Sequence, residues 1–162
     1  MTREFPTLLL DTNIWMDNYF SHRPGSAAAR ELIAYANEQN YTLAYAATSA
    51  KDLFFLAGSE LKRIVREEEG QLSESNARVC SEMAWAFLKN MTAIAVAVPV
   101  GEPQIWLATH YRDLHADFED DLILAAAEES KADFLVTGDR ALFGKSAVPT
   151  FESVDMLAYL RK

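Results

Sequence analysis

The stretch Asp117–Asp139, DFEDDLILAAAEESKADFLVTGD, decides how the rest of the chain is read. It opens on acids, runs through a helix of small apolar residues, turns, and closes on a short apolar strand followed by Asp139. Wound at about 100° per residue, Leu122, Ala126, Ile123, Ala127 and Leu124 fill one apolar arc. Asp120 falls inside that arc, and Asp121 falls opposite it with Glu128 and Glu129. The arc therefore predicts Asp120 turned toward the protein body and Asp121 toward solvent. A carboxylate pointed inward is costly unless something compensates it. One compensation is a first-turn helix position, where free N–H groups and the dipole favour Asp. The other is a metal ion.

Working outward, Phe5–Leu10 reads as a buried first strand with Asp11 at its carboxyl end. Thr12–Phe20 follows as a helix, and Ala27–Glu38 as another with Ser26 as its cap. Tyr41–Ala46 is a second strand. Thr48 or Ser49 caps a helix predicted to stop near Gly58, and a separate charged helix spans Glu60–Glu69. Ser73 caps a long helical pattern to Met91. Ala93–Val98 is a third strand and Glu102–Asp113 a helix. The deciding stretch adds a fourth strand, Phe134–Val136. Val148–Phe151 is a last short strand and Ser153–Leu160 a closing helix with Ser153 as cap. Strands alternating with helices predict an α/β fold, an α/β/α sandwich around a central, mostly parallel sheet of about five strands.

At 162 residues, half of them hydrophobic, the chain is expected to form a single domain over residues 1–162, with a helical insert at about 60–91. No apolar run is long enough to span a bilayer, and the N-terminus lacks a signal-peptide layout, so a cytoplasmic protein with no membrane contact is expected. The single cysteine, Cys80, excludes an internal disulfide and a cysteine metal cage. The net charge of −9, from 24 acids and 15 bases, is awkward for a nucleic-acid binder. It reads either as solubility or as acids gathered at one site for neutralisation by cations.

In a parallel sheet, sites lie beyond the carboxyl ends of the strands. Asp11 ends the first strand, Asp52 opens the helix after the second, Asp139 ends the fourth, and Asp120 sits on the helix before it. Taken singly, each also fits a turn or a helix start. Jointly, four acids at equivalent ends point to a shared cation. Oxygen-only ligands select Mg²⁺ or Mn²⁺ over zinc, and such an ion activates water for phosphodiester cleavage. No Gly-rich phosphate loop appears, so no organic cofactor is expected. Thr12 and Asn13 are candidates to orient Asp11, or simply to cap a helix, and Thr137 to orient Asp139. Asp17 and Glu119 read as a solvated and a dipole-favoured helix acid. His22, His110 and His115 are scattered and receive no role. Lys51, Arg112, Arg140 and Lys145 flank the acids. The tryptophans Trp15, Trp85 and Trp106 and the pair Phe54-Phe55 read as core or dimer packing rather than base stacking.

LLLDTNIWMD, SAKDLFFLAG, the deciding stretch, and RALFGKSAVPTFESVDML together resemble the PIN domain over nearly the whole chain. The resemblance implies a metal-dependent ribonuclease whose acids map onto Asp11, Asp52, Asp120 and Asp139. It also implies an RNA substrate, and a possible toxin role, since many bacterial members are VapC-type toxins. An antitoxin protein and a homodimer are the implied partners. Asp stands at 52 where the commoner pattern has Glu, and the middle helical region is longer than in compact toxins. The alternative is a non-catalytic PIN-like module that binds RNA or a protein. Phosphoryl transfer through an aspartyl intermediate needs a second acid beside Asp11, where Thr12 and Asn13 stand.

Overall fold

The computed structural model describes residues 5–113 and 116–162; His115 and the first four residues lie outside them. Five strands form one sheet: β1 (Thr7–Leu10), β2 (Thr42–Ala46), β3 (Val96–Val98), β4 (Phe134–Val136) and β5 (Thr150–Phe151). Their order is β3-β2-β1-β4-β5, and every neighbouring pair is parallel. Among the described residues, six helices carry the crossovers, α1 (Thr12–Tyr19), α2 (Ser26–Glu38), α3 (Ala47–Glu69), α4 (Glu74–Ile94), α5 (Glu102–Tyr111) and α6 (Phe118–Glu129), and α7 (Ser153–Leu160) follows the last strand. The architecture is the expected α/β/α sandwich around a parallel sheet.

The central strand explains why the first apolar run shows no alternation. Leu8, Leu9 and Leu10 of β1 are all fully buried, as a strand covered on both faces requires. Leu8 and Leu10 pack with α1, α2, α3, α4 and α7. Leu9 points the other way, into the layer built by α5 and α6. From β1 the chain moves outward to β2 and β3, then returns to lay β4 on the other side of β1. That reversal opens a crevice beyond the carboxyl ends of β1 and β4. α6 ends just before β4 begins, so its first turn lies at the carboxyl edge of the sheet.

Several boundaries differ from the sequence-based expectation. Gly58 does not break a helix: α3 runs unbroken from Ala47 to Glu69 and ends at Gly70, whose φ of 76° forms a left-handed cap. Gly58 lies against Ala84 of α4, and the packing of α3 on α4 outweighs the modest cost of a mid-helix glycine. α3 and α4 thus form a long hairpin that begins earlier than the expected insert. α4 extends through Ile94, which shortens β3 to three residues. Ser73 caps α4, its Oγ accepting from the Asn76 N–H at 3.0 Å. Ser26 and Ser153 are instead first helical residues, behind Gly25 and Glu152, and Ala46 rather than Thr48 or Ser49 precedes α3.

The expected orientation of the two α6 acids is also reversed. Asp121 is 2% exposed, whereas Asp120 is half-buried. Leu122 through Ala127 are all buried, so α6 is covered nearly all round and an arc drawn on sequence cannot tell core from solvent. The side carrying Asp121 and Glu128 is the side that α5 covers. There the Tyr111 hydroxyl of α5 donates to Glu128 Oε2. Burial, together with Glu128 and then Asp121 nearby, pushes the Tyr111 phenol up to about 12.

Candidate active site

The crevice between β1 and β4 is closed by hydrogen bonds rather than by packing alone. The Asp11 N–H donates to the Val136 carbonyl, tying the end of β1 to the end of β4. The chain then leaves β1 into α1, with Asp11 as N-cap. Its Oδ1 accepts from the Thr12 N–H at 2.6 Å. Its Oδ2 accepts from Asn13 Nδ2 at 2.7 Å and from Thr137 Oγ1 at 2.7 Å. Thr12 therefore supports Asp11 through its main chain, not its hydroxyl.

Asn13 and Thr137 extend the network to the other strand end. Asn13 Oδ1 accepts from the Gly138 N–H at 2.9 Å, which fixes the amide so that Nδ2 faces Asp11 and, at 3.2 Å, Thr137 Oγ1. Thr137 Oγ1 also accepts from the Asp139 N–H at 3.0 Å. Asp139 Oδ1 accepts from the Ala141 N–H at 2.8 Å and caps the short 3-10 turn Arg140–Leu142. Asp11, Asn13, Thr137 and Asp139 thus form one hydrogen-bonded junction between chain segments more than 120 residues apart.

Asp11 is 5% exposed. Burial raises its pKa; the three hydrogen bonds oppose that, and the negative charge of Asp139 adds to it. The donors thus offset part of the penalty that burial places on the anion. Two of them saturate Oδ2, and one occupies Oδ1, leaving one lone pair on Oδ1 for a further partner.

The other two predicted acids stand on helices at the same edge. Asp52 lies in the second turn of α3, directly after β2, with Lys51 Nζ 3.3 Å from its Oδ1. Asp120 lies in the first turn of α6, where Asp117 caps the helix by accepting from the N–H groups of Glu119 and Asp120. Among the described residues, no three His, Cys, Asp or Glu side chains stand close enough to cage a metal by themselves. The carboxylates at the junction still suit a hard cation, because Mg²⁺ is commonly held by one or two carboxylates with waters and substrate phosphates completing its shell.

Two features escaped the sequence reading. Asp17, read as solvated, is clamped by Arg23, whose Nε donates to Asp17 Oδ1 at 2.6 Å. A Cβ at Gly25 would come within 2.1 Å of Asp17 Oδ2, so only glycine lets that carboxylate lie against the start of α2. The signal was the Arg-Pro-Gly turn itself. Of the aromatics, Trp15 is fully buried, but Trp85 and Trp106 are 47% and 62% exposed.

A family model described as PIN domain matches residues 7–141. No curated protein matches the chain significantly. Among solved structures, the chain is similar to one in the crystal structure of VapBC2 from Rickettsia felis bound to a DNA fragment from their promoter. That match has a TM-score of 0.56 and 18% identity, and covers 90% of this chain and 98% of the other.

Proposed function

The chain belongs to the PIN domain family, and on that premise we propose that it is a Mg²⁺- or Mn²⁺-dependent endoribonuclease acting at the carboxyl edge of its sheet. The observation that carries this reading is the junction in which Asp11 and Asp139 are wired together through Asn13 and Thr137. Capping α1 accounts for the bond from the Thr12 N–H; a cation site at the topological switch point accounts for a buried carboxylate held by two further side-chain donors.

In this reading Asp11 and Asp139 would hold the ion, and Asp52 and Asp120, which do not form a ready-made cage with them, would complete its shell with waters and substrate phosphate. The bound ion supplies water activation and stabilisation of the leaving oxygen in phosphodiester cleavage. Thr12, Asn13 and Thr137 do the preparatory work: their hydrogen bonds favour the anion of Asp11 against its burial and fix which lone pair it offers.

The partners follow at the same level of proposal. No helix among the described residues is long and apolar enough to cross a membrane, and we place the protein in the cytoplasm. The α3–α4 hairpin exposes Phe55 and Trp85, both in ring contact with Phe54. An apolar surface of this kind suits a second copy or an antitoxin. A toxin role rests on such a partner existing.

The net charge of −9 favours a competing reading, a non-catalytic module whose acidic surface repels RNA. One experiment separates the two. Purified protein is incubated with a mixed RNA pool and Mn²⁺, with and without chelator, and its melting temperature is followed against Mn²⁺. The nuclease reading expects chelator-sensitive cleavage and a melting temperature that climbs with Mn²⁺, since a ligand bound only by the folded state stabilises it. An unmoved melting temperature at millimolar Mn²⁺ with intact RNA would leave the non-catalytic module.

A further inference from the structure

A cleft of about 450 Å³ is lined in part by Gly138, which adjoins the acid junction. Gly138 joins the two: its N–H is held by Asn13, the residue that also holds Asp11. The cleft runs between the α1–α2 turn, represented by Arg23 and Gly25, and the start of α7, represented by Glu152 and Val154. Its volume falls within the range of small-ligand sites and admits a nucleotide unit.

Its chemistry is set by two arginines. Arg23 is clamped by Asp17 through Nε, and Arg140 is clamped by Glu152 through Nε at 2.5 Å. Asp17, Arg23 and Glu152 line the cleft, and Arg140 stands at its rim through Glu152. A guanidinium carries five N–H donors in a planar fork, and neither clamp uses the terminal nitrogens. Each arginine is therefore held in orientation while its phosphate-matching edge stays available. Arg23 is one-third exposed and Arg140 largely exposed, so both edges are reachable. The charges also matter. On a chain of net charge −9, the two arginines offset most of the charge of Asp17, Glu152 and Asp155, the acids that act on them.

We propose that this cleft is the subsite for the RNA strand on one side of the scissile bond, with Arg23 and Arg140 as its phosphate contacts. This rests on the nuclease reading above. A phosphate in the cleft positions the strand without touching the reacting atoms, so the two arginines act on binding rather than on the chemical step.

The test is steady-state cleavage of a 5′-labelled single-stranded RNA in Mn²⁺, at several salt concentrations, with RNA affinity measured separately on Asp11→Asn protein. Arg23→Gln and Arg140→Gln are each expected to raise KM about tenfold with kcat within about twofold, and to flatten the salt dependence of binding by about one charge. Because Arg23 also clamps Asp17, exposed Val154 supplies an independent pair: Val154→Glu should raise KM and Val154→Arg lower it. If wild-type protein cleaves while KM and salt slope stay unmoved in all four variants, the subsite is wrong and the nuclease reading stands. If wild-type protein does not cleave and Asp11→Asn does not bind RNA, the nuclease reading fails and takes the subsite with it. Reduced kcat at unchanged KM would place the arginines in the chemistry and overturn their role as strand contacts.

Discussion

The four acids divide into two kinds. Asp11 and Asp139 leave strand ends and are fixed by hydrogen bonds into one junction; Asp11 is nearly buried. Asp52 and Asp120 leave helices and are half-buried. A strand end in a parallel sheet has its direction set by two neighbouring strands, whereas a side chain in a helix turn keeps rotamer freedom. The comparison suggests a prewired pair of ligands and a recruited pair. In that case Asp11→Asn and Asp139→Asn lower kcat/KM by at least about 100-fold at any Mn²⁺ concentration. Asp52→Asn and Asp120→Asn lose activity at low Mn²⁺ and regain most of it when Mn²⁺ is raised about tenfold, with metal-free stability changed by under roughly 0.5 kcal/mol. A titration in which all four variants lose activity equally, whatever the Mn²⁺, would erase the distinction.

The wiring itself can be cut without touching an acid. Thr137→Val preserves shape but removes the donor to Asp11 Oδ2 and the acceptor for the Asp139 N–H. We expect a loss of about 2 kcal/mol in chemical denaturation, the scale of a hydrogen bond to a charged group. Activity should fall about tenfold, as for loss of a group that orients a ligand. The hydrogen bond from Thr137 lowers the Asp11 pKa, so its removal moves the acid limb of the pH–rate profile to higher pH. An unmoved limb would mean that Asp11 ionisation does not govern the reaction.

A smaller effect separates the buried acid from its exposed relatives in the absence of metal. The folded-state pKa of Asp11 is raised, first by burial, above the ordinary value near 3.8. The folded chain therefore binds that proton more tightly than the unfolded chain. Its contribution to stability is full below the unfolded value and is lost as pH rises through the folded one. Carboxylates paired with arginine, such as Glu60 and Glu152, are lowered and pull the other way. The clean readout is thus a difference: the stability of Asp11→Asn relative to wild type should be most favourable at neutral pH and should decline toward acid. A difference flat from pH 4 to 8 would show that Asp11 is not held at raised pKa.

The same contrast explains what was legible in the sequence. Apolar runs ending in an acid, LLLD and FLVTGD, announce strands and the residues that leave them, because a parallel strand buried on both faces is built mostly of apolar residues up to its end. Parallel pairing then brings Asp11 and Asp139 to one crevice. The strand-end part of the site was accordingly readable by residue type. The helix-borne part was not. Alanine-rich α6 is apolar over most of its surface, so periodicity could not show that α5 covers the side of Asp121. The Asp17–Arg23 clamp depends on a turn geometry that only the fold creates. Nor could local propensity show that Gly58 sits against Ala84, where a partner helix holds α3 straight.

That last point yields the mildest prediction. A Cβ at Gly58 would lie 3.9 Å from the Ala84 Cβ, an ordinary van der Waals contact. The site is mid-helix, so Gly58→Ala removes backbone freedom from the unfolded chain without strain in the folded one. We expect stabilisation of about 0.5–1 kcal/mol, read as a higher denaturant midpoint at unchanged slope. RNA cleavage should be unaltered, since the added Cβ meets only the Ala84 side chain of α4. Were Gly58 instead the break between two helices that the local sequence suggests, alanine would destabilise the protein, because a residue with a Cβ disfavours the backbone of a turn that needs glycine. The sign of this one small change therefore reports whether α3 is a single rigid arm or a jointed one.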